Sequence, residues 1–282
     1  SGEGTYGQLR RHFGPQIDSV IRDTKLVFLS HIHADHHLGI IKVLRERCNL
    51  SSPPEHPIVI IAPFYARLYL SEYSNIEDLG ITAVNGVHFL PAEELEHRRP
   101  RDLNVTDSIL SYHPLKLRLG LADLKTAAVD HRTTAFGIVL RHSSGWSITY
   151  SGDTRPCQNL VDAGMDSTLL IHEATMSDEQ EEMAKEKGHS TIGQAVDIAR
   201  RMRAKKLLLT HFSTRYPKMP VLGRTFTAQD GDQEVVVLPE TVVGFDFLHI
   251  RLGDFARAER YIPNLESAFA DIKEDAEPAL NA

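Results

Sequence analysis

The chain has 282 residues, 41% hydrophobic and 24% charged, which is ordinary globular material with length enough for one large domain. No apolar run approaches the roughly 18 residues that a membrane helix needs, and the first residues lack the pattern of a signal peptide. Two cysteines, Cys48 and Cys157, exclude a disulfide scaffold and a cysteine-rich zinc site and point to a reduced intracellular compartment, while the net charge of −7 weighs against a nucleic-acid partner.

In chain order, KLVFLS (25–30) reads as a strand that runs straight into His31-Ile32-His33-Ala34-Asp35-His36-His37, four histidines and an aspartate in seven positions. IIKVLRERC, after Gly39, reads as a helix. PIVIIA (57–62), AFGIVLRH (135–142), WSITYSGD (146–153), STLLIHEA (167–174) and KKLLLTHF (205–212) read as further strands, most of them buried. SDEQEEMAKEKG reads as a helix with Ser177 as its N-cap and Gly188 as its stop. STIGQAVDIARRMRA (190–204) reads as a helix with Ile192, Val196, Ile198 and Met202 on an apolar face. Residues 214–243 carry Pro, Gly, Gln and Asp and read as a long loop; the chain beyond Ser267 is acidic and reads as disordered. One domain is therefore expected over 1–265 and a tail over 266–282. Strands and helices mix without a regular βαβ repeat, so layered sheets flanked by helices are expected, an α/β (α+β) class.

Four strand runs give onto a ligand-type residue: His31-His33-Asp35-His36, Asp153, His172-Glu173 and His211. In an extended chain residues i and i+2 point the same way, so His31 and His33 can face one metal, and a turn after them can aim Asp35 and His36 at a neighbouring position. Imidazole with carboxylate suits zinc, and also manganese or iron. A lone histidine at a strand end is more often structural. Three imidazoles and a carboxylate crowded together have no such explanation.

HxHxDH, a distant histidine, the Asp of SGDT and a last histidine after a strand resemble the pattern of the metallo-β-lactamase superfamily. That resemblance implies a four-layer αββα sandwich with two metals at one sheet edge. It puts His31, His33 and His131 on one Zn2+, Asp35, His36 and His211 on the other, and Asp153 between them. His131 is chosen because DHRTTAFGIVL resembles the third motif of the family.

SGEGT (1–5), HEAT (172–175), GHST (188–191) and THFSTRY (210–216) narrow the resemblance to the tRNase Z family, endonucleases that remove the 3′ trailer from precursor tRNA. Cutting a phosphodiester needs a metal-activated hydroxide, charge neutralisation at the phosphate and a proton for the leaving oxygen; two metals supply the first two. Asp35, beside the bridging water, can be the general base while also binding metal. The resemblance makes His189 the proton donor, paired with Glu173, and puts Arg215 and Thr175 at the substrate. His37 is expected to have no metal role, and neither are His12, His56, His88, His97, His113, His142 and His249.

The family's first motif begins with an aspartate that would stand just before Ser1, and the basic tRNA-gripping arm of the short forms has no room between His131 and Asp153. The chain thus resembles the carboxy-terminal half of the long, eukaryotic form, with first strands lying upstream and the arm in an amino-terminal half that would be its partner. Nucleus and mitochondrion are the implied locations. Of the basic clusters, Arg10-Arg11, Arg98-Arg99 with Arg101, and Arg200 to Lys206, the last reads best as a solvated helix face. Two other readings stand beside this one: a (thio)ester or lactone hydrolase of the same fold, and a non-catalytic scaffold half.

Overall fold

The structure is a computed structural model that describes residues 1–99, 106–213 and 239–259. Arg101, Arg215, most of the expected loop and the expected tail lie outside the described residues. Contacts divide the chain into two compact units, Ser1–Ser147 and Ile148–Ala282.

The first unit opens with helices α1 (Thr5–Phe13) and α2 (Ile17–Asp23), followed by strand β1 (Leu26–Phe28). A short turn of helix, α3 (Ala34–His37), and α4 (Gly39–Cys48) lead to β2 (Ile58–Ala62); α5 (Phe64–Tyr73) leads to β3 (Val87–Pro91). All three strands are parallel and adjacent in chain order, with Val27 against Ile60 and Ile60 against Phe89. Every residue of β2 is buried, as a central parallel strand covered on both faces must be. Helix α4 buries Ile40, Val43, Leu44 and Arg47, the i, i+3, i+4, i+7 stripe of an amphipathic helix. Ile40 and Leu44 join Leu29, Ile58, Ile60, Ala66 and Leu70 in the core; each such side chain contributes about 1.5–3 kcal/mol by burial. Helix α6 (Thr106–Leu119) then precedes an antiparallel hairpin of β4 (Leu121–Val129) and β5 (Ala135–His142).

In the second unit β6 (Ser147–Tyr150), α7 (Gln158–Gly164), β7 (Leu169–Glu173), α8 (Glu181–Lys187), α9 (Ile192–Arg201), β8 (Lys206–Thr210), β9 (Glu240–Val243) and α10 (Phe255–Glu259) follow in order. Strands β6, β7, β8 and β9 are parallel neighbours. The six strands read from sequence are all present. Four expectations need correction. Each unit does contain a βαβ succession, hidden in sequence because its connections differ in length. The expected loop over 214–243 ends in β9, which pairs Thr241 with Leu207. Ser177 makes no capping hydrogen bond: a single 3-10 turn, Asp178–Gln180, intervenes before α8. Gly188 does stop α8, at φ 83°. Helix α9 starts at Ile192 rather than Ser190, with a capping box between Thr191 and Gln194. Among the described residues no helix is long and apolar enough to cross a membrane.

Candidate metal centre

In the first unit the ligand-rich loop leaves the carboxyl end of β1. Leu29 N–H still donates to Ile61 O at 2.9 Å, so pairing ends just before Ser30. His31 is fully buried. Ser30 Oγ lies 3.0 Å from its Nδ1, and His31 Nε2 faces His33 Nδ1 at 3.0 Å. His131 occupies the turn between β4 and β5, and its Nε2 lies 3.2 Å from the same His33 nitrogen. Phe136 N–H donates to Ser30 O at 2.9 Å and ties that hairpin to the ligand loop. The three nitrogens all lie within 4.8 Å of one another. Tetrahedral zinc with bonds of about 2.0–2.1 Å spaces its nitrogens roughly 3.3–3.4 Å apart. The two spacings to His33, 3.0 and 3.2 Å, approach that value, so the three imidazoles suit one zinc ion.

The next candidate ligands sit on α3, a helical turn that uses His33 as its N-cap residue. His36 N–H donates to His33 O at 2.9 Å. The His36 ring centroid is 4.2 Å from that of His31, and its Nε2 is 3.4 Å from Asp35 Oδ2. The Asp35 side chain is 75% exposed, open to a water or a substrate. His37 turns away: its Nδ1–H donates to His33 O at 2.8 Å and its ring meets Tyr69 edge-on. Gly39 N–H donates to Ser1 O at 2.9 Å, which lays the SGEGT stretch against this turn. A Cβ at Gly39 would overlap the carbonyl of Gly2, and one at Gly2 would overlap the carbonyl of Asp35. Only glycine lets two backbones approach so closely.

In the second unit three adjacent parallel strands end together. From β6 comes Asp153, 3% exposed, after a turn in which Gly152 takes φ 63°. Strand β7 ends in His172 and Glu173, which by alternation face opposite ways. His172 is fully buried; its Nδ1–H donates to Glu173 O at 2.7 Å, and its Nε2 has no hydrogen-bond partner among the described residues. Burial holds its pKa below the ordinary histidine value. Tyr150, one step before this edge, has its phenol pushed up by burial, with the charges of Asp153 and Glu173 adding to the effect.

Glu173 is 1% exposed and surrounded by donors. Its Oε1 accepts from Thr154 N–H at 2.6 Å and from His189 Nδ1–H at 3.0 Å. Its Oε2 accepts from the Thr175 hydroxyl at 2.6 Å and from Ser190 N–H at 3.1 Å. Such surroundings suit an acceptor-only carboxylate. His189 stands between the Gly188 stop and the Thr191 cap, its N–H donating to Ala184 O at 2.8 Å. His211 follows β8 at φ 64°, a left-handed backbone that a non-glycine residue adopts only under constraint. The constraint is visible on both sides, in Ala174 N–H to Thr210 O at 2.8 Å and Ser213 N–H to Thr175 O at 3.2 Å. His211 Nε2 is 3.5 Å from Asp153 Oδ2, and Asp153, His189 and His211 form a second group able to hold a metal.

Within the first unit, then, His31, His33 and His131 come together with His36 and Asp35 close by, and within the second Asp153, His211, His189 and Glu173 do so. Thr175, expected at the substrate, is buried, with its hydroxyl engaged by Glu173 and His211. None of the eight histidines set aside above belongs to a metal-competent group among the described residues. Arg200 and Arg201 pair with Asp197, and Arg203 grips Asp166 with two bonds, the surface ion pairs of a solvated face. Sequence reasoning missed Ser30, Thr154 and Ser190. Each adjoins a site residue in the chain (Ser30-His31, Asp153-Thr154, His189-Ser190), and that adjacency is the signal that could have found them.

The profile of a Beta-lactamase superfamily domain matches residues 2–212. The chain is 40% identical over 277 residues to the Homo sapiens zinc phosphodiesterase ELAC protein 2, covering 97% of this chain and 32% of that protein. It is 37% identical over 286 residues to the Drosophila melanogaster protein named ribonuclease Z, mitochondrial, covering 98% and 34%. Among solved structures, a long form RNase Z from yeast superposes with TM-score 0.82 at 27% identity, over 98% of this chain and 39% of that one. The chain thus spans about a third of the length of these curated relatives.

Proposed function

Because this chain belongs to the β-lactamase superfamily and has its metallo-β-lactamase fold, we propose that it is the catalytic region of a zinc-dependent endoribonuclease that removes the 3′ trailer from precursor tRNA. The observation that carries this reading is the buried Glu173–His189 pair, Oε1 to Nδ1 at 3.0 Å and nine-tenths or more hidden on the carboxylate side. A hydrolase of small esters needs the metal ligands; it does not need a second, carboxylate-held imidazole beside them. The likeness to relatives named ribonuclease Z and zinc phosphodiesterase supports the same class.

Two Zn2+ ions would be held by His31, His33 and His131, by Asp35, His36 and His211, and by Asp153 in common; Mn2+ or another divalent cation suits the same donors. When bound, they supply an activated water and neutralise charge on the phosphate. The chain's own residues do the rest. Asp35, exposed to solvent, accepts the proton of the attacking water as the new P–O bond forms. Glu173 fixes the His189 ring through Nδ1–H, so that Nε2 is the nitrogen offering a proton to the 3′ oxygen as its bond to phosphorus breaks. The products are a 3′-hydroxyl on the tRNA and a 5′-phosphate on the trailer. Arg215, outside the described residues, is proposed to contact a substrate phosphate, and the basic grip on tRNA to lie in an amino-terminal half. The mitochondrion is a proposed location by likeness to the fly relative, and the nucleus a second by family resemblance alone.

The test is His189→Ala in the full-length protein, assayed on precursor tRNA with metal content measured in parallel. Turnover should fall by roughly 10²–10⁴-fold, the range for losing a general acid, with both metals retained. Normal cleavage would remove the proposed acid, and loss of metal would make His189 a ligand.

A further inference from the structure

We propose that Thr175 is a positioning residue that fixes the tautomer of His211 and thereby selects the nitrogen His211 turns to the metal. The inference rests on the reading of His211 as a metal ligand. Thr175 is 8% exposed, and its hydroxyl lies between two groups, 2.6 Å from Glu173 Oε2 and 2.8 Å from His211 Nδ1. A hydroxyl has one hydrogen. Glu173 faces donors at both oxygens, so the hydroxyl hydrogen goes to Oε2. Thr175 Oγ1 must then accept from His211, which puts a hydrogen on Nδ1 and makes Nε2 the bare nitrogen, the one on the Asp153 side. The same oxygen is also 3.3 Å from His189 Nδ1, but that nitrogen has the nearer acceptor in Glu173 Oε1 at 3.0 Å.

One buried carboxylate therefore orients two imidazoles through separate oxygens: His189 directly, and His211 through the Thr175 hydroxyl. Such partners hold a ligating histidine in one ring orientation and raise its basicity. The need is pronounced at His211, whose backbone stands in a left-handed conformation and whose side chain is 31% exposed. The main chain of Thr175 serves the same end, accepting from Ser213 N–H at 3.2 Å just past the ligand.

Full-length parent, Thr175→Val, Thr175→Ser and His211→Ala are compared by chelator competition for Zn2+ and by the visible absorption of Co2+-substituted protein. Thr175→Val, which keeps the shape and removes the hydroxyl, should weaken one ion about 10–100-fold and change the Co2+ bands. Thr175→Ser should restore both, and His211→Ala should be at least as damaging as Val. Parent-like affinity and bands in Thr175→Val, beside a loss in His211→Ala, would overturn the proposal and leave His211 a ligand. Equal losses in Ser and Val would overturn it too, since shape alone would then matter. Parent-like binding in His211→Ala would instead overturn the ligand reading. If circular dichroism shows Thr175→Val unfolded, Thr175→Ala is read in the same way.

Discussion

Gly39, at the start of α4, and Asp35, on α3, lie four positions apart and are under opposite constraints. Gly39 is buried with its backbone against the carbonyl of Gly2, so Gly39→Ala must push the SGEGT stretch or the ligand turn aside. Overpacking of this kind costs about 1–3 kcal/mol. Thermal unfolding of Gly39→Ala should therefore drop by several degrees, and its metal content should fall because the turn carries Asp35 and His36. A variant that unfolds and binds metal like the parent would contradict the close approach. Asp35 is the reverse case. Its side chain is largely exposed, with His36 Nε2 3.4 Å from its carboxylate. Asp35→Ala should leave unfolding of the metal-free protein within about 0.5 kcal/mol of the parent. Its turnover should nevertheless fall by 10² or more, the contribution of a general base. Activity within about tenfold of the parent would exclude that role.

At the scale of elements, helix α9 shows how a local signal serves the site. Its capping box joins the Thr191 hydroxyl to Gln194 N–H and the Gln194 side chain to Thr191 N–H. The helix buries Ala195, Val196, Ile198 and Ala199, so once capped it is fixed in place. His189 and Ser190 immediately precede the cap, and Ser190 N–H reaches Glu173 Oε2 at 3.1 Å. Thr191→Ala should thus cost about 1 kcal/mol, the usual worth of an N-cap. In a thermal scan that is a shift of roughly 2–4 °C. Because fraying would loosen the His189 turn, turnover should also decline, and Thr191→Ser should recover both. An unchanged melting temperature would mean that packing alone holds the helix end. Strand β7 gives the other lesson. Period-two alternation sends Glu173 to the site and His172 to the interior, so of two adjacent ionisable residues only one is available for chemistry.

Within each unit, most of the proposed ligands follow the carboxyl ends of parallel strands. A parallel sheet puts all its carboxyl ends on one edge, which is why open α/β sheets bind ligands there. Strand β1 delivers His31 and His33, while β6, β7 and β8 deliver Asp153, Glu173 and His211. Ligands proposed for two ions come from both units, so metal content reports on both. Protein purified without chelator should carry close to two equivalents of divalent metal, read by plasma emission spectrometry, and chelation should abolish cleavage. Folded protein with near-zero metal would refute the two-metal reading. The net charge of −7 is compatible with a catalytic region whose substrate grip is proposed to lie elsewhere in a longer chain.

The sequence by itself determined what depends on neighbours in the chain. Apolar β-branched runs marked β1, β2 and β5 to β8, and the dense HxHxDH stretch pointed to metal ligation. Strands β3, β4 and β9 escaped notice. VHFLP ends in proline, LADLKTAAV carries three alanines, an aspartate and a lysine, and ETVV is short, so only pairing with β2, β5 and β8 makes them strands. Tertiary structure alone decided which hydroxyl and amide meets which carboxylate. Thr154, Ser190 and Thr175 converge on Glu173 from separations of 19, 17 and 2 residues. Periodicity carries no record of such meetings, because they are set by where strands end and how helices cap. The same reason hid the close approach of Gly2 and Gly39 and the left-handed backbone of His211: both are imposed by packing between segments, and neither is written in the residues alone.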